Sequence, residues 1–590
     1  PRHHPLAFFF QSQARFTLPA NARTWRVLES GAGSLFYQPH HEFSLLKIPP
    51  QRAFPGTRDT AWITVEGYPQ RAQGSATDSP SLTTLAMDII DGPSAMSKWR
   101  GAFVALLAIP DLDLLVCVRD PLGARTLYYR ETQGNVSIST SAHLLASALN
   151  CSGRETGFLS AMFALRAERP PGRTAFEGIS ELLPGQRLFG QDNRYRLDRT
   201  KNRLPPVHNG PPHDLPKRFR TRFQDAIERV LPERVPAAIM LSGGLDSAPA
   251  ACVAASLMKS REQRLHAISW RLPGFPECDE ADWIRTVARH ADIELHEFDG
   301  ADYPAFGILD PSASNPDYPA YNPFRPLFNG CYEIAGDLGI PVLLNAHAGD
   351  LIYPGRETEL VDLMRRGEVR RLAASVAREI ARSPTRMNQN RALRGLAAYL
   401  IGRSSGKPRA PKWLTAEARS DLESLDFGEW LPEAEEHGAP SYCRQLLGLG
   451  IQGGIQFEIR MSQEFGVARR DPFYDLDLLL FMLSIPPWMQ LDDTQDKWLM
   501  REAMKGILPE SVRTKHKTGL LYSFFRAGLQ NQLPKIRERL MDSPEWSRWA
   551  DKKFVENALS PGSADSQWMV VNACLGYVLW QERIREDPFC

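Results

Sequence analysis

The stretch Ala237-Ala-Ile-Met-Leu-Ser-Gly-Gly-Leu-Asp-Ser-Ala-Pro-Ala-Ala-Cys-Val-Ala-Ala-Ser-Leu-Met258 decides the fold of this chain. The short apolar run Ala238–Leu241 is typical of a buried parallel strand. The small, helix-tolerant residues of Ser247–Met258 predict a helix. Between them, two glycines let backbone N–H groups approach an anion, and the helix N-terminus adds the positive end of its dipole. The stretch therefore predicts a phosphate-binding turn between a strand and a helix.

The residues of this turn also indicate which phosphate chemistry it serves. A carboxylate beside phosphates repels them unless a cation lies between, so Asp246 predicts a Mg²⁺ ion. The turn lacks the lysine of a Walker A loop, which argues against transfer of a γ-phosphoryl group. The predicted nucleotide-binding residues of the turn are Leu241, Ser242, Gly243, Gly244, Asp246 and Ser247.

The string Ser-Gly-Gly-Leu-Asp-Ser, residues 242–247, resembles the pyrophosphate loop of the asparagine-synthetase superfamily of PP-loop ATP pyrophosphatases. Enzymes of that superfamily cleave ATP to AMP and pyrophosphate while they activate a carboxylate. The resemblance implies an α/β fold, with a C-terminal synthetase domain built on a doubly wound parallel sheet with added helices. It also implies ATP and Mg²⁺ as cofactors.

Length and composition set the broad class of protein. A chain of 590 residues exceeds one ordinary core, so we expect at least two domains. The formal net charge of +1 gives no general attraction to nucleic acid or to an anionic membrane. The eight cysteines form no Cys-x-x-Cys pair, and no apolar run reaches membrane-spanning length. We therefore expect a cytoplasmic protein with reduced thiols, without a membrane or nucleic-acid partner.

Residues 1–200 predict a separate domain of strands and turns. Ala61–Gly67 is a predicted strand, and Ala102–Ile109 with Asp113–Arg119 predicts a hairpin. Several short motifs then resemble, in order, those of the superfamily's glutaminase domain, which implies an αββα sandwich of the N-terminal-nucleophile (Ntn) hydrolase type. These motifs are Gly101-Ala-Phe, Arg119-Asp-Pro-Leu-Gly, Leu127-Tyr-Tyr, Glu177-Gly-Ile and Leu183-Pro-Gly185.

The nucleophile of such a glutaminase is missing from this sequence. The reaction needs a thiol at the mature N-terminus, where the α-amine acts as base. This chain begins Pro1-Arg-His-His, and its first cysteine, Cys117, lies within a predicted strand. We therefore predict a degenerate, non-catalytic domain over residues 1–200. The proline-rich residues 201–216 predict a linker, and residues 217–590 predict the ATP-dependent synthetase domain.

A second predicted strand, Ile340–Ala346, runs into His347-Ala-Gly-Asp350. This segment resembles the superfamily motif S-G-x-G-x-D, with Asn345 and Ala346 in place of the Ser-Gly pair. The resemblance implies that Asp350 joins Asp246 on Mg²⁺, and that Asn345, Ala346 and Gly349 contact the nucleotide. Two carboxylates after two strands also fit the rule that open α/β sheets bind ligands at the carboxyl ends of their strands.

Two positions depart from the asparagine synthetases. Those enzymes carry Glu where this chain has His347, and usually Glu where it has Leu351. The ring-closing members of the superfamily differ from the synthetases at the same places. An ordinary imidazole pKa near 6.5 suits His347 to deprotonate an attacking ammonium group. Alternatively, His347 only donates a hydrogen bond to phosphate or substrate.

Two aromatic features have an alternative explanation in packing alone. Trp270 ends the predicted strand Leu265–Trp270, where the superfamily contacts adenine; alternatively it is a core residue. The aromatic stretch 303–328 lines a substrate cleft or packs over the edge of the sheet.

Three further strings resemble the superfamily. Arg470-Asp-Pro-Phe-Tyr-Asp475 matches its R-x-P-F-L-D element, and Lys497 lies one helical turn before Arg501 on a predicted shared face. In the third string, Leu508–Gly519, the resemblance assigns Lys517 to the α-phosphate, where its charge would stabilise the adenylation transition state. Lys515 is the alternative for that role.

The sequence leaves four functions open. The lasso-peptide cyclases match most features, which implies ATP-dependent macrolactam formation: an Asp or Glu side chain of a precursor peptide is adenylated, and the peptide's N-terminal amine attacks it. That resemblance further implies a leader-peptide protease and a leader-binding protein as partners. The alternatives are a β-lactam or carbapenam synthetase, with Glu379 as the carboxylate of its catalytic pair, and an ammonia-dependent asparagine-synthetase-like enzyme or non-catalytic ATP-binding relative.

Overall fold

Apolar runs that alternate with short turns build two antiparallel sheets in the N-terminal domain. The fold is that of a computed structural model, which describes residues 8–11, 26–30, 33–37, 43–48, 61–72, 81–164, 169–200, 203–208, 210, 212–382, 391–400, 410–427, 439–448, 452–491, 497–515, 521–560 and 562–586. The strands of this domain are β1 (Phe8–Gln11), β2 (Arg26–Ser30), β3 (Gly33–Tyr37), β4 (Phe43–Ile48), β5 (Ala61–Gly67), β6 (Gln70–Arg71), β7 (Trp99–Arg100), β8 (Phe103–Ile109), β9 (Leu114–Arg119), β10 (Tyr128–Thr132), β11 (Asn135–Ser139), β12 (Ser180–Glu181), β13 (Gln186–Gln191) and β14 (Arg194–Arg199). Its helices are α1 (Leu82–Asp91), α2 (Pro93–Met96), α3 (Ala142–Ala148) and α4 (Thr156–Phe163).

The two sheets pack face to face between helices. Their strand orders are β12-β10-β11-β1-β3-β2 and β14-β13-β9-β8-β5-β4. Phe10 and Ile138 of the first sheet share a core with Val104 and Cys117 of the second. On the outer faces, α1 covers the second sheet, and α3 and α4 pack beyond the first. The αββα sandwich of the Ntn type is therefore confirmed, as is the hairpin β8–β9.

The C-terminal domain is organised by a five-stranded parallel sheet. Its strands are β15 (Ala237–Met240), β16 (His266–Arg271), β17 (Glu294–Asp299), β18 (Val342–Leu344) and β19 (Ala468–Arg470). The strand order is β17-β16-β15-β18-β19: starting from β15, the chain adds β16 and β17 on one side and then β18 and β19 on the other. The point where the order reverses lies between β15 and β18, and this is where such sheets bind ligands.

Helices cover both faces of this sheet, which confirms the doubly wound architecture. One face packs against α5, α6 and α7, and the other packs against α8. The helices of the domain are α5 (Leu215–Val230), α6 (Ser247–Lys259), α7 (Ala281–His290), α8 (Arg325–Asp337), α9 (Arg356–Arg365), α10 (Val369–Arg382), α11 (Arg391–Leu400), α12 (Ala416–Ser424), α13 (Pro440–Leu447), α14 (Gln452–Gln463), α15 (Leu476–Ser484), α16 (Pro487–Gln490), α17 (Trp498–Ala503), α18 (Glu510–Arg513), α19 (Tyr522–Asp542), α20 (Lys552–Ala558) and α21 (Ala564–Glu586).

The structure decides between the two interpretations of the aromatic stretch 303–328. Phe306, Tyr318 and Tyr321 are buried, and their core cluster contains residues of α19 and α21. The ring of Phe306 lies 5.2 Å from that of Phe525 in α19. The stretch therefore packs the C-terminal helices onto the domain, and most of its aromatic rings contribute to the core.

Polar contacts join the two domains along the segment that follows β19. The Arg100 guanidinium donates to Asp477 Oδ1 at 2.8 Å. The Tyr474 hydroxyl donates to the carbonyl of Leu122 at 2.7 Å. Between the domains lies a narrow cleft, lined on one side by residues 120–122 and on the other by residues 469–471.

Among the helices of the described ranges, none combines the length and the apolar character needed to cross a membrane.

Candidate active site

The turn after β15 is closed by two serines. Ser247 Oγ accepts a hydrogen bond from the backbone N–H of Ser242 at 2.9 Å and lies 2.9 Å from the Ser242 carbonyl oxygen. The two hydroxyl oxygens are 2.8 Å apart. The backbone carbonyl of Leu241, at the start of the turn, accepts a hydrogen bond from Ser269 Oγ at 2.7 Å. These bonds fix the backbone of the predicted phosphate-binding turn.

Glycine is required in this region where the backbone meets its neighbours closely. A Cβ at Gly243 would lie 2.5 Å from Cβ of Trp283. A Cβ at Gly349 would lie 2.4 Å from Oδ1 of Asp246. No side chain fits at these distances, so Gly349 lets the segment after β18 rest directly on the Asp246 carboxylate.

The segment after β18 is ordered by its own side chains. Asn345 is buried, and its amide donates to Met240 Sδ at 3.1 Å, which ties the end of β18 to the end of β15. Asn345 Oδ1 accepts the backbone N–H of His347 at 2.7 Å. Ala346 accepts the N–H of Gly349 at 3.1 Å, and a 3₁₀ helix runs over His347–Ile352. Strand β18 ends at Leu344, two residues earlier than the sequence predicts, because the chain turns here.

One ammonium group links the two predicted metal-binding carboxylates. Lys497 Nζ lies 2.5 Å from Asp246 Oδ2 and 2.6 Å from Asp350 Oδ1. Burial disfavours the charged form of Lys497, but the two carboxylates outweigh burial and raise its pKa. The two carboxylates thus converge on one cation.

Lys497 and Arg501 lie one helical turn apart, since the Arg501 N–H donates to the Lys497 carbonyl at 3.1 Å, but their side chains contact different groups. Helix α17 begins at Trp498, and Lys497 precedes it with a left-handed backbone, at φ 51°. Its side chain is thereby aimed at the turn. The Arg501 guanidinium instead donates to the backbone carbonyl of Arg513 at 2.5 Å.

The donor set of Asp246 and Asp350 fits a magnesium ion. Both donors are carboxylate oxygens, the ligands that this hard cation prefers. They follow adjacent parallel strands, and the ammonium of Lys497 shows that a positive charge is stable between them. Asp350 is more than half exposed, so the site is open to solvent and to a nucleotide.

His347 is exposed at the surface of this site, three residues before Asp350. The protein atoms around the imidazole and the Arg469 guanidinium lower its pKa, while Glu458 and Asp350 oppose that shift. Glu458 is itself fixed, because its carboxylate accepts bonds from the Tyr332 hydroxyl at 3.0 Å and from the Asn322 amide at 2.9 Å. The net direction keeps His347 neutral, the form that accepts a proton.

Asp471 supports the same segment from β19. Its Oδ2 accepts the backbone N–H of Ala348 at 3.0 Å, and its Oδ1 accepts that of Phe473 at 3.0 Å. Burial raises the pKa of Asp471 to about 6, although Arg469 and these backbone donors act in the opposite direction. The Arg470–Asp475 element therefore positions the turn that carries His347 and Asp350.

The structure describes Trp270, one of the predicted nucleotide-binding residues, but not Lys517, the predicted contact of the α-phosphate. Trp270 is the residue before the last one of β16 and is half-buried, with its ring 6.1 Å from that of Phe328. Lys517 lies outside the described residues. The alternative, Lys515, is buried against the turn: its Nζ lies 2.9 Å from Glu280 Oε1 and 5.0 Å from the ring centroid of Trp283.

With this geometry established, the chain can be compared with known proteins. The sequence model of the Asparagine synthase family matches residues 218–582. The chain belongs to the asparagine synthase family. The model of the Glutamine amidotransferase domain matches residues 68–200, in agreement with the N-terminal sandwich.

Similar proteins of known name include both synthetases and amidases. "Asparagine synthetase [glutamine-hydrolyzing] 3" of Bacillus subtilis is 24% identical over 430 residues, which are 69% of this chain and 64% of that protein. "Amidase chyE" of Penicillium rubens is 29% identical over 222 residues, 35% of this chain and 32% of that one. The chain thus spans less than two thirds of the length of these relatives. A solved structure, the allosteric regulatory enzyme of purine biosynthesis, has a TM-score of 0.21 at 9% identity and covers 52% of this chain and 76% of that chain, too little similarity to establish a shared fold.

The sequence does not identify two residues of this site, Lys497 and Glu458. The helical spacing of Lys497 and Arg501 gives no indication that the Lys497 ammonium contacts Asp246 and Asp350. Glu458 lies inside α14 between the apolar residues Phe457 and Ile459, and a lone carboxylate buried on a helix is a signal of a polar partner. Neither partner is near in sequence.

The bridging position of Lys497 predicts a competition between its ammonium and Mg²⁺. Replacing it (Lys497→Met) removes the competing cation, so Mg²⁺ without ATP should bind the variant about tenfold more tightly, a gain of about 1.4 kcal/mol. The measurement is the rise in melting temperature with Mg²⁺ concentration. Lys505→Met, whose ammonium pairs with exposed Glu502, is the matched control and should resemble the wild type. Equal Mg²⁺ affinities for Lys497→Met and the wild type would refute the competition.

Proposed function

We propose that this protein is an ATP- and Mg²⁺-dependent amide ligase that closes a macrolactam in a ribosomal precursor peptide. A side-chain carboxylate of Asp or Glu is adenylated with release of pyrophosphate, and the peptide's N-terminal amine then displaces AMP. The observation that carries the proposal is the convergence of Asp246 and Asp350, from two adjacent strand ends, on one cation beside the glycine turn. Membership of the asparagine synthase family supports the reaction class.

The residues of the turn bind and orient the nucleotide in this proposal. The backbone N–H groups of Gly243 and Gly244, at the N-terminus of α6, approach the phosphates. Asp246 and Asp350 would hold Mg²⁺, which when bound would neutralise phosphate charge and so assist the departure of pyrophosphate. The positive charge of Lys517 stabilises the negative charge that develops on the α-phosphate in the adenylation transition state.

His347 serves the second half of the reaction. A peptide amine is mostly protonated at neutral pH, and only its neutral form attacks. The lowered pKa of His347, caused by its surroundings and by Arg469, keeps the imidazole free to take that proton. The carboxylates of Glu458 and Asp350 favour the imidazolium that results.

The amine comes with the substrate in this proposal. Cys117 is buried in β9, and burial raises its pKa, so it is no glutaminase nucleophile. A precursor peptide brings both the carboxylate and the amine, which makes a separate nitrogen source unnecessary. A leader-peptide protease and a leader-binding protein are the partners that such a substrate calls for.

Two alternatives make different demands on the site. A β-lactam or carbapenam synthetase would use Glu379, but that carboxylate lies in α10 and pairs with Arg356 at 3.9 Å. Glu458 is among the groups that affect the pKa of His347. Asparagine synthesis is favoured by the Bacillus relative and differs in its substrate, free aspartate. The dependence of pyrophosphate exchange on a peptide or on free aspartate separates the proposed function from asparagine synthesis.

The nucleotide products test the reaction class. Asp246→Asn and Asp350→Asn each remove a negative charge from the cation site, so each should lower product formation by more than about 100-fold. The wild type should release AMP and pyrophosphate, which are resolved by chromatography of a reaction with labelled ATP. Asp282→Asn, at a fully exposed position of α7, is the control and should keep full activity. Formation of ADP and phosphate would be incompatible with the proposal.

His347 and Lys517 should affect different half-reactions. His347→Ala should keep peptide-dependent exchange of pyrophosphate into ATP but close rings about 100-fold more slowly, because only the second step needs the base. Lys517→Ala should lose both activities, and Lys515→Ala tests the alternative lysine. His213→Ala, at an exposed position, is the control.

The same assay distinguishes the substrates and the assignments. Exchange that depends on a peptide's Asp or Glu, and not on free aspartate, supports the peptide substrate; the reverse dependence supports asparagine synthesis. Ring closure by His347→Ala at the wild-type rate would show that the proton goes elsewhere. Loss of exchange in Lys515→Ala alone would move the phosphate contact to Lys515.

The N-terminal domain should not hydrolyse glutamine. Glutamine added to the purified protein should give no glutamate and should not raise the rate of amide formation, because burial raises the pKa of the Cys117 thiol and so disfavours its nucleophilic thiolate form. Glutamate is measured by a coupled dehydrogenase assay, with added ammonium as a parallel nitrogen source. Steady glutamate production by pure protein would overturn this prediction.

A further inference from the structure

A second group of ligating side chains lies at the other end of the same parallel sheet. His266 begins β16, and Glu294 begins β17, the edge strand that also carries His296. His266 pairs with Glu294 in register, and Ile268 pairs with His296. Since residues two apart point to the same face, all three side chains share the face that α8 covers further along β16. Nothing in the proposed amide chemistry uses them.

The ligand atoms of these side chains are already close together. His266 Nδ1 lies 3.1 Å from His296 Nε2, and the two rings stack at 24° with centroids 5.4 Å apart. Glu294 Oε2 lies 3.9 Å from His266 Nδ1, and Glu294 Oε1 lies 3.8 Å from His296 Nε2. One nitrogen or oxygen of each residue lies within 4.8 Å of the others.

These distances suit one small transition-metal ion. Two imidazole nitrogens on tetrahedral zinc, each about 2.0–2.1 Å from it, are about 3.3 Å apart. The hydrogen-bonded nitrogens of His266 and His296, 3.1 Å apart, are close to that spacing. The Glu294 oxygens, 3.8 and 3.9 Å from these nitrogens, exceed it by roughly half an ångström. Imidazole nitrogen with one carboxylate favours zinc and neighbouring ions over magnesium or calcium.

The surroundings also allow a metal to enter and to bind. The side chains of His266 and His296 are each 22% exposed and that of Glu294 is 44% exposed, so the group is partly covered and open to solvent.

We propose that His266, Glu294 and His296 form a binding site for one zinc-class divalent ion, with a coordination position left for water. Such an ion would join the edge strand β17 to its neighbour β16. Five residue steps of β16, about 17 Å, separate His266 from the end of the strand beside the nucleotide turn. The site is therefore separate from the Mg²⁺ carboxylates.

The Arg264 side chain lies beside the proposed metal site and allows a second test of it. Its guanidinium lies 3.6 Å from Glu294 Oε2 and 3.1 Å from Asp292 Oδ1. It shares the carboxylate that the metal would use and places a positive charge beside the site. Removing that charge should therefore strengthen metal binding.

The experiment titrates the full chain with Co²⁺, and then with Zn²⁺ in competition, in excess Mg²⁺ that occupies the carboxylate site. Calorimetry and the visible absorption of bound Co²⁺ report the binding. We expect one equivalent in the wild type, its loss in His266→Ala and His296→Ala, and binding at least tenfold weaker in Glu294→Gln. Arg264→Gln should bind more tightly. His290→Ala, an exposed histidine that contacts the carbonyl of Ile507, is the control.

A thermal readout separates metal binding from damage to the fold. Zn²⁺ should raise the melting temperature of the wild type and of His290→Ala, but not that of His296→Ala. Glu294→Gln keeps the shape of an exposed side chain, so it tests the site even where a histidine variant folds poorly. Equal uptake and equal thermal shifts in the wild type and in Glu294→Gln and His296→Ala would overturn the proposal.

Discussion

Two like charges held side by side are the constraint on which this site depends. Asp246 and Asp350 follow neighbouring parallel strands on either side of the reversal in strand order, so the topology itself brings their carboxylates together. The glycine at position 349 allows van der Waals contact where any Cβ would clash. Repulsion between the two carboxylates is relieved only by a cation, and Lys497 supplies one. Any ligand of this site must therefore bring or keep a positive charge there.

The sequence predicts those parts of the site whose signals are local. The strand, turn and helix around Asp246 lie within one residue of the predicted limits, because an apolar run, two glycines and a run of small residues each act over a few positions. The partners of this turn cannot be predicted in the same way. Lys497 reaches Asp246 across 251 residues, and its local spacing favoured a helical position that it does not occupy. Glu458 approaches His347 only through the packing of α14.

The N-terminal domain is tied to the synthetase domain by the motifs that resemble a glutaminase. The Asp120 carboxylate accepts the backbone N–H groups of Leu122 and Arg125, which fixes the loop at the domain boundary. Tyr474 and Gln456 then donate to carbonyls of that loop. The segment that carries Tyr474 also contains Asp471, whose carboxylate holds the turn before Asp350. Loss of the glutaminase reaction would therefore leave these motifs with a packing role that reaches the active site.

Histidine at position 347 changes what this site can do with a proton. The asparagine synthetases, which this chain resembles around Asp246 and Asp350, carry Glu at that position, so nucleotide binding alone does not require histidine there. A neutral imidazole adds no negative charge beside the two carboxylates, and the lowered pKa of His347, set by its surroundings and by Arg469, favours this form. Glu458 and Asp350 act in the opposite direction and stabilise the protonated ring. Histidine, unlike an ionised carboxylate, can therefore accept a proton here without first adding negative charge to the site.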